Sequence, residues 1–388
     1  MSAPIIIELY STEWPKHFSS ERDALAAILP AEVVIEHIGS TSVEGLAAKP
    51  VIDILIGVRS LSDATAMIAP IEGLGYTYIQ KYEAELPMRR YFNKKLADQT
   101  HTHHIHLVEK GSEFWNTHLY FRDRLRSDKD LSDSYAALKK ELAVQYRDDR
   151  EGYTDAKSGF IKAVLDERRD AARPQVRSMA NTAVASGDVT SWFEQVYQNA
   201  NGDKGNIPWV DAEANPYLIS CLVDTKIDGN GKKALVIGCG LGDDAEALSK
   251  VGYAVTAFDI SETAIGWAKE RFPNTTVHYQ QADLFALPTQ WHQAFDLVFE
   301  CYTVQALPPS VRDESIRCVT DTVAPGGDLL LVARGWRGEH VENGPPWPIK
   351  DEELSSFTSR LREVSFEEFY EEPNNIRRIR CLYHRDRI

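Results

Sequence analysis

Three closely spaced glycines follow a short apolar run in the C-terminal half of the chain. Residues 234–244 read ALVIGCGLGDD, in which Gly238 and Gly240 flank Cys239. This pattern predicts a buried strand that ends in a tight turn and opens a helix. Glycine is required there because it adopts positive φ and lets a ligand approach the backbone. The sequence therefore predicts an α/β unit with a nucleoside-type ligand at this turn, although a glycine turn without a ligand is the alternative.

Acidic residues restrict the chemistry of that ligand. Asp243 stands where a dinucleotide-binding fold would place its third glycine, and Asp244 follows it. Carboxylates at a helix N-terminus would repel a pyrophosphate but would not repel a cation. Asp259 ends the next apolar run, 21 residues after Gly238, where an acid is placed to bind ribose hydroxyls. A ligand with a ribose, a positive charge and no phosphate indicates S-adenosylmethionine.

Strands and helices alternate from residue 234 onwards, which predicts a parallel sheet covered on both faces. The glycine run, with FDIS at 258–261, ADL at 282–284 and PGG at 325–327, resembles the class I S-adenosylmethionine-dependent methyltransferases over residues 190–388. Trp192, IPW at 207–209 and PPWP at 345–348 resemble the thiopurine, thiol and halide methyltransferases within that class. The resemblance implies a Rossmann-like domain with a mostly parallel seven-stranded sheet.

The same resemblance implies which residues hold the cofactor. Gly238 and Gly240 would approach the methionine and ribose, and Asp283 would accept a hydrogen bond from the adenine amino group. Many class members carry an acid two residues before the first glycine, where this chain has Val236. The methionine amino group would therefore be held by backbone carbonyls or by Asp243. The full expected cofactor set is Gly238, Cys239, Gly240, Asp243, Asp259, Ile260, Asp283, Leu284 and Glu300.

The acceptor side of the site is less constrained by the sequence. A soft nucleophile such as a thiolate or halide needs little beyond alignment, whereas a hydroxyl or amine usually needs a base. Glu300 and Tyr302 follow the fourth predicted strand, where a catalytic base or an orienting group would lie; Glu300 could instead contact only the cofactor. Loop tryptophans could form the walls of the acceptor pocket and contact the sulfonium by cation–π attraction: Trp209, Trp336 and Trp347. A rigid surface loop is the alternative for Trp347.

A second informative stretch lies near the N-terminus. Residues 33–56 read VVIEHIGSTSVEGLAAKPVIDILI and predict a strand, a Gly-Ser turn, a short helix and a strand that carries Asp53. A Gly-Ser turn offers N–H and hydroxyl groups to phosphate, and Asp53 could hold a divalent cation. The stretch resembles the GrpB family, over about residues 4–165, whose members look like a branch of the nucleotidyltransferase fold, here an α+β domain.

The resemblance implies a nucleotide or phosphorylated ligand held by Gly39, Ser40, Thr41, Lys49 and Asp53, with Mg or Mn. The wider superfamily uses two acids one residue apart, but the second position here is Leu55, which puts two-metal chemistry in doubt. His104 and His106 fall on one face of a predicted strand. They could bind a metal with Asp53 or hold a phosphate; ordinary hydrogen bonding is the alternative.

Length and composition indicate how the chain divides into domains and which ligands it is suited to bind. We expect a GrpB-like domain at 1–170, a polar linker at 171–190 and a methyltransferase domain at 191–388. A net charge of -15 argues against binding nucleic acid or an anionic membrane. Five cysteines without a C-x-x-C spacing and no apolar run of 18 residues favour a reduced, cytoplasmic protein.

These patterns predict a two-domain enzyme that methylates a small-molecule acceptor. One alternative makes the N-terminal domain a non-catalytic binding or assembly module, which the leucine at position 55 favours. Another alternative makes the chain a nucleic-acid methyltransferase. The negative net charge argues against this alternative. The sequence ECYT at 300–303 also argues against it, because such enzymes would carry a motif of the Asn-Pro-Pro-Tyr type there.

Overall fold

The computed structural model describes residues 5–83, 86–211, 213–225, 228–338, 344–371 and 375–387. Its contacts divide the chain into two compact units. The N-terminal unit contains Met1–Ala171 and Gly202–Asn206, and the C-terminal unit contains Ala172–Asn201 and Ile207–Ile388. Each unit combines helices with a β-sheet, as the sequence predicts.

The N-terminal unit is built on a mixed sheet. Its helices are α1 (Glu13–Ala26), α2 (Leu61–Ala64), α3 (Ile68–Gly73), α4 (Glu113–Ser127), α5 (Lys129–Gln145), α6 (Arg150–Asp155) and the first part of α7 (Ser158–Ala185), with 3-10 turns at Ser40–Ser42, Thr65–Met67, Gln80–Glu83 and Lys204–Asn206. Its strands are β1 (Val34–Ile38), β2 (Ile52–Val58), β3 (Thr77–Tyr78), β4 (Arg89–Lys95) and β5 (His101–Glu109). Their order in the sheet is β1-β2-β5-β4-β3.

Strand β2 lies inside this sheet and is buried on both faces. Ile54 and Ile56 point into one apolar cluster, whereas Leu55 points into another with Trp115. This burial explains the nearly continuous apolar sequence of β2, since a strand covered on both sides has no polar face. The parallel register of β2 and β5 places Asp53 opposite His104.

The C-terminal unit contains a larger sheet. Its helices are α8 (Ser191–Ala200), α9 (Pro216–Thr225), α10 (Asp243–Lys250), α11 (Glu262–Arg271), α12 (Thr303–Ala306), α13 (Arg312–Thr320) and α14 (Ser355–Thr358), with 3-10 turns at Leu284–Ala286, Thr289–Trp291, Pro309–Val311 and Asp351–Leu354. Its strands are β6 (Lys233–Ile237), β7 (Ala254–Asp259), β8 (His278–Gln281), β9 (Phe295–Cys301), β10 (Val323–Trp336), β11 (Ile349–Lys350), β12 (Arg362–Glu371) and β13 (Ile376–His384).

The order of this sheet is β12-β13-β10-β9-β6-β7-β8. Strands β8, β7, β6, β9 and β10 run parallel, and β13 and β12 complete the sheet in antiparallel pairs. The two-residue strand β11 pairs with β10 beside this path. The predicted Rossmann-like, mostly parallel sheet is confirmed, with β11 as an addition. The turn of the predicted final hairpin, at 372–374, lies outside the described residues.

Helices cover both faces of the parallel strands. Along β6, Leu235 and Ile237 belong to one apolar cluster, and Ala234 and Val236 belong to the cluster on the other face. The central strands are therefore buried on both sides, and polar side chains are confined to the strand ends. This arrangement directs the chemistry of the unit to the edge where the strands finish.

The segment that we expected to be a polar linker is mostly helical. Helix α7 continues to Ala185 and contains Pro174 within it. Val176 and Ala180 are 7% and 0% exposed and pack with Trp192 and Tyr197 in one cluster of the C-terminal unit. Sequence periodicity is weak here because these two small side chains form a narrow apolar stripe on an otherwise polar helix.

Two further properties concern the described residues. No helix among them combines the length and the apolar character needed to cross a bilayer. All five cysteines are free thiols, and three of them are buried.

Candidate functional site

Polar residues meet at the carboxyl edge of the parallel strands. Ile237, at the end of β6, lies opposite Phe258 in β7 and Glu300 in β9. Asp259 lies opposite Gln281, at the end of β8. The glycine turn, Asp259, Asp283 and the β9 terminus therefore follow neighbouring strand ends, which is where open α/β sheets bind ligands.

The glycine turn has the predicted conformation. Gly238, Gly240 and Gly242 have φ values of +57°, +51° and +91°. A Cβ on Gly238 would lie 2.2 Å from Thr303 Oγ1, so a side chain is excluded by contact as well as by backbone geometry. The turn is held by the amide of Cys239, which donates to the backbone oxygen of Phe258 at 2.8 Å.

Asp259 fixes the turn from the neighbouring strand. Its Oδ2 accepts from the amide of Gly240 at 2.9 Å, and its Oδ1 accepts from the amide of Ser261 at 2.9 Å. Burial raises the pKa of Asp259, while these backbone hydrogen bonds oppose the rise. A carboxylate has about four acceptor positions. Asp259 thus keeps acceptor capacity for ribose hydroxyls after bonding to both amides.

The residues after β8 form the adjacent part of the edge. Asp283 accepts at Oδ1 from the amide of Phe285 at 2.9 Å and so caps the turn that follows. Leu284 is buried, and Ile260 is half-buried beside Asp259. Asp283 therefore has the structural capping role that an acid at a strand end often takes, and its role toward adenine stays a prediction.

Asp243 differs from the sequence expectation. Arg271, at the end of α11, donates to both carboxylate oxygens of Asp243 at 2.7 Å and also to the backbone oxygen of Leu241 at 2.7 Å. The bidentate pair neutralises Asp243 and ties α11 to the glycine turn. Asp243 is consequently occupied by a structural partner, and its expected role as an anchor for the methionine amino group is not supported.

Asp244 retains the acidic character of this region. It accepts from the amide of Asn215 at 2.6 Å, and the Asn215 side chain contacts Cys301 Sγ at 3.3 Å. Burial raises the pKa of Asp244 to about 6, and the negative charges of Asp243 and Asp211 add to the rise. Asp211 and Asp244 thus create a negative field near the turn, which would favour a cationic ligand.

Glu300 lies in the interior. It is 0% exposed, and its Oε1 accepts from the amide of Val304 at 2.7 Å. Its Oε2 has no hydrogen-bond partner among the described residues. Burial raises the pKa of Glu300 to about 7. Glu300 thus accepts at the start of α12 from the interior, and its catalytic role stays a prediction.

Tyr302 begins α12 with φ at +63°. Its ring lies under the guanidinium of Arg378, 4.9 Å from the ring centroid. Burial raises the pKa of Tyr302 above its ordinary value of 10. The hydroxyl therefore stays protonated at neutral pH and can donate or orient, but it is a poor base.

The three tryptophans predicted to line the acceptor pocket contact different residues. Trp209 donates to Tyr197 Oη at 3.0 Å, and that hydroxyl would lie 3.2 Å from a Cβ on Gly240. Trp347 is 8% exposed. Its backbone amide donates to the oxygen of Gln305 in α12, and its backbone oxygen accepts from Arg312. Trp336 is half-buried and donates to the oxygen of Gly338 at 3.2 Å. Trp209 thus lies near the glycine turn, and no ring contact joins it to Trp336 or Trp347 within the described residues.

The Gly-Ser turn of the N-terminal unit packs against Asp53. Gly39 has φ of +69°, and a Cβ there would lie 2.4 Å from Asp53 Oδ2. Thr41 donates to the oxygen of Val51 at 3.2 Å, and Ser42 donates to the oxygen of Gly39 at 2.6 Å. These two hydroxyls therefore stabilise the turn itself, which differs from the expectation that they are offered to phosphate.

The predicted metal ligands form hydrogen bonds with each other and with neighbours. Asp53 Oδ1 lies 3.1 Å from His104 Nδ1, and His106 Nδ1 lies 3.2 Å from a guanidinium nitrogen of Arg89. Burial would raise the pKa of Asp53, but its bond to His104 lowers it. The described residues contain no group of three His, Cys, Asp or Glu arranged to hold a metal ion. The prediction of a metal site is not supported.

Several functional contacts come from residues that the sequence pattern did not single out. Glu194 in α8 accepts from the hydroxyls of Ser261 and Thr263 at 2.6 Å and caps α11. Arg271 and Asn215 hold Asp243 and Asp244, as described above. These pairs join residues about 30 or more positions apart, so no local spacing in the sequence indicates them. The charge of Arg271 indicates that it could form an ion pair, but not with which acid.

Comparison with known proteins gives a match for each unit. Residues 4–167 match the family described as GrpB protein, and residues 194–375 match the family described as thiopurine S-methyltransferase. Glutamate-rich protein GrpB of Alkalihalophilus pseudofirmus is 35% identical over 42% of this chain and 95% of its own. Thiocyanate methyltransferase 1 of Arabidopsis thaliana is 30% identical over 43% of this chain and 71% of its own. The chain belongs to both families.

The matches differ in how much of each relative they cover. A crystal structure of GrpB from Enterococcus faecalis is 36% identical, with a TM-score of 0.38, over 41% of this chain and 94% of that chain. UPF0157 protein YqkA of Bacillus subtilis is 40% identical over 42% of this chain, but the match spans only 47% of that relative. Residues 168–193 lie between the two family matches.

The C-terminal unit of this GrpB–methyltransferase chain is an S-adenosylmethionine-dependent methyltransferase. Its residues fit the cofactor, since the backbone of Gly238 and Gly240 is partly exposed at the strand edge and Asp259 keeps free acceptor positions. The field of Asp211 and Asp244 suits a positively charged ligand. The function of the GrpB domain is not defined by its family.

Proposed function

We propose that the C-terminal unit methylates a small molecule through a soft nucleophilic atom, such as a thiol sulfur, thiocyanate or a halide. The proposal rests on the surroundings of the two candidate bases at the carboxyl end of β9. Glu300 is 0% exposed, and the pKa of Tyr302 is raised by burial. Hydroxyl and amine acceptors usually need a base, whereas a thiolate or halide does not. The names of the thiocyanate and thiopurine methyltransferase relatives support the same class of acceptor.

The cofactor would supply a methyl group on a positively charged sulfur. In our proposal, the backbone at Gly238 and Gly240 lies against the methionine and ribose, and Asp259 binds the ribose hydroxyls. Asp283, the next acid along the edge, would accept from the adenine amino group. Asp244 takes over the acidic role toward the methionine amino group, because Asp243 is paired with Arg271.

The aromatic residues would exclude water and position the acceptor. Trp209 and Tyr197 form a hydrogen-bonded pair beside Gly240, so Trp209 is the tryptophan best placed to line the site. Trp336 and Trp347 remain candidates for the outer wall. Alignment and exclusion of water are the main requirements of a displacement at a methyl carbon.

A direct assay tests the proposed acceptor class. The full chain is incubated with S-adenosylmethionine and with thiophenol, thiocyanate, iodide, phenol or aniline, and methylated products are measured by mass spectrometry. We expect methylation of the sulfur and halide acceptors and little methylation of phenol and aniline. If phenol were methylated at a comparable kcat/KM, and Glu300→Gln abolished that activity, the soft-nucleophile proposal would be wrong.

We also infer that the N-terminal unit binds a nucleotide or another phosphorylated ligand without two-metal chemistry. Leu55, on the same face of β2 as Asp53, is fully buried against Ile38, Val108 and Trp115, so an apolar side chain fills the position of the second acid. A binding or assembly module without catalysis is the alternative. Turnover of a nucleotide that needs Mg or Mn and is lost in Asp53→Asn would contradict this inference.

A further inference from the structure

An ammonium group is buried in the N-terminal unit without a carboxylate beside it. Lys139, on α5, is 3% exposed. Its Nζ donates to Ser40 Oγ at 2.8 Å and to the backbone oxygen of Ala47 at 2.6 Å. Both acceptors are neutral, and Lys139 has no ion pair among the described residues. A buried charge without a counter-ion is costly, so a bound anion would relieve an unfavourable arrangement.

A second lysine near Lys139 also lacks an ion pair with a described residue. Lys157 is half-buried, and its side chain forms no hydrogen bond or ion pair with a described residue. Its Nζ lies 4.4 Å from the centroid of the Tyr153 ring, and Lys49 Nζ lies 4.1 Å from the same centroid. We call Lys49, Lys139 and Lys157 the ammonium cluster. Two of its members share one aromatic ring, and the third contacts the Gly-Ser turn.

Two members of the cluster, Lys139 and Lys157, repel each other. Burial, together with the charge of Lys157, lowers the pKa of Lys139 to about 7. Burial also lowers the pKa of Lys157, and the carboxylate of Asp53 opposes that change. The side chain of Asp53 is bonded to His104. Lys139 and Lys157 therefore lie close enough to interact, and Lys139 contacts the Gly-Ser turn, an arrangement that favours a bound anion.

The hydroxyl groups of the Gly-Ser turn are not the groups that would bind the anion. Thr41 and Ser42 donate to backbone oxygens of the unit itself, and Ser40 Oγ accepts from Lys139. Lysine binds phosphate groups as a compact point charge with three donors. Lys139 uses two of these donors in the interactions described above, and Lys157 uses none.

We propose that Lys49, Lys139 and Lys157 bind the phosphate groups of a phosphorylated ligand that carries at least two negative charges. The proposal rests on the phosphorylated-ligand function inferred above for the N-terminal unit. It adds that ammonium groups, rather than a metal ion or the turn hydroxyls, hold the phosphates.

Calorimetric titration of the full chain with inorganic pyrophosphate in EDTA tests this proposal. We expect wild-type protein to bind, and Lys139→Met and Lys157→Met to bind at least about tenfold more weakly, which is about 1.4 kcal/mol. Lys140→Met and Lys162→Met are the matched controls: Lys140 is the exposed neighbour of Lys139 on α5, and Lys162 is exposed in the first turns of α7, which begins directly after Lys157. The controls should bind as the wild type does.

If Lys139→Met fails to fold, Lys157→Met still tests the proposal, because the side chain of Lys157 makes no hydrogen bond to a described residue. Circular dichroism checks the folding of each variant. If pyrophosphate or ATP binds and Lys157→Met has no effect, the ammonium cluster is wrong but the phosphorylated-ligand function survives. If neither binds, with or without Mg, both inferences fail.

Discussion

The carboxylate of Asp259 has a structural role beside the predicted one toward the ribose. It accepts from the amides of Gly240 and Ser261, so it joins the glycine turn to the start of α11. We expect Asp259→Asn to lower the affinity for S-adenosylhomocysteine at least about tenfold. The amide nitrogen of asparagine would face a backbone donor, and the negative charge toward the ribose would be lost.

Calorimetric titration of the full chain with S-adenosylhomocysteine measures this effect. Glu262→Gln is the control, because Glu262 is exposed in the first turn of α11. An Asp259→Asn protein with unchanged affinity would remove Asp259 from the cofactor site.

Burial of Glu300 makes a pH-dependent prediction. Its pKa is raised from 4.5 to about 7, so its contribution to stability is present below about 4.5 and is lost as pH rises through about 7. Glu300→Gln mimics the neutral carboxyl and keeps an acceptor for Val304. Relative to wild type, we expect the variant to gain up to about 3 kcal/mol in unfolding free energy between pH 5 and pH 8.5.

Denaturant unfolding at the two pH values measures the difference, and hydrogen exchange in peptides covering β9 locates it. A stability difference between wild type and variant that does not change with pH would show that the pKa of Glu300 is not raised in the folded protein.

Among the elements, the glycine turn makes the sharpest prediction. Gly238→Ala forces a Cβ into left-handed backbone and to 2.2 Å from Thr303 Oγ1. The backbone term alone costs about 1–2 kcal/mol. We expect a lower melting temperature and loss of S-adenosylhomocysteine binding, measured by thermal unfolding with and without the ligand.

Gly266→Ala is the matched control for this prediction. Gly266 lies inside α11, and apart from its chain neighbours and the backbone of its own helix no described atom lies within 4 Å of the place that a Cβ would occupy there. Alanine favours a helix over glycine by about 1 kcal/mol. The control should therefore be as stable as wild type or more so. Equal behaviour of the two variants would argue against a tight turn at Gly238.

The pairing of α10 with α11 through Asp243 and Arg271 can be tested in the same way. Arg271→Met removes the bidentate bond and the bond to the oxygen of Leu241. Because the pair is only partly buried, we expect a modest loss of about 1 kcal/mol in stability, with a few-fold weaker binding of S-adenosylhomocysteine.

A double-mutant cycle with Asp243→Asn isolates the pair, and Lys269→Met, at an exposed site on α11, is the control. Additive effects in the cycle would mean that Arg271 acts without Asp243.

The sequence predicted the elements whose causes are local. The glycine turn follows from backbone conformation, and the parallel sheet of the C-terminal unit follows from the alternation of apolar runs with helices. It could not predict the partner of Asp243, because Arg271 lies 28 residues away and meets it only after folding. It placed Glu300 at a strand end correctly but could not show that α12 covers it. It missed Lys139 because a buried lysine looks like any other helical lysine in a sequence.

At the scale of the whole molecule, the helix α7 contributes to the core of the C-terminal unit. Val176 is 7% exposed and packs with the aromatic residues of α8. We expect Val176→Ala in the full chain to cost about 2 kcal/mol of unfolding free energy, from lost apolar burial and a small cavity. Denaturant unfolding followed by tryptophan fluorescence measures it.

Val223→Ala is the matched control, since Val223 is 68% exposed on α9. Its stability should stay within about 0.5 kcal/mol of wild type. Equal losses in the two variants would mean that Val176 is not part of the core.

The role of α7 limits how the residues between the two family matches can vary. Val176 and Ala180 are four positions apart and share one face of the helix. Deleting or inserting a single residue between them would turn one side chain away by about 100°. Point substitutions on the polar face should therefore be tolerated in this stretch, while changes in its length should be selected against. Helical phase, rather than residue identity, is what this stretch has to preserve.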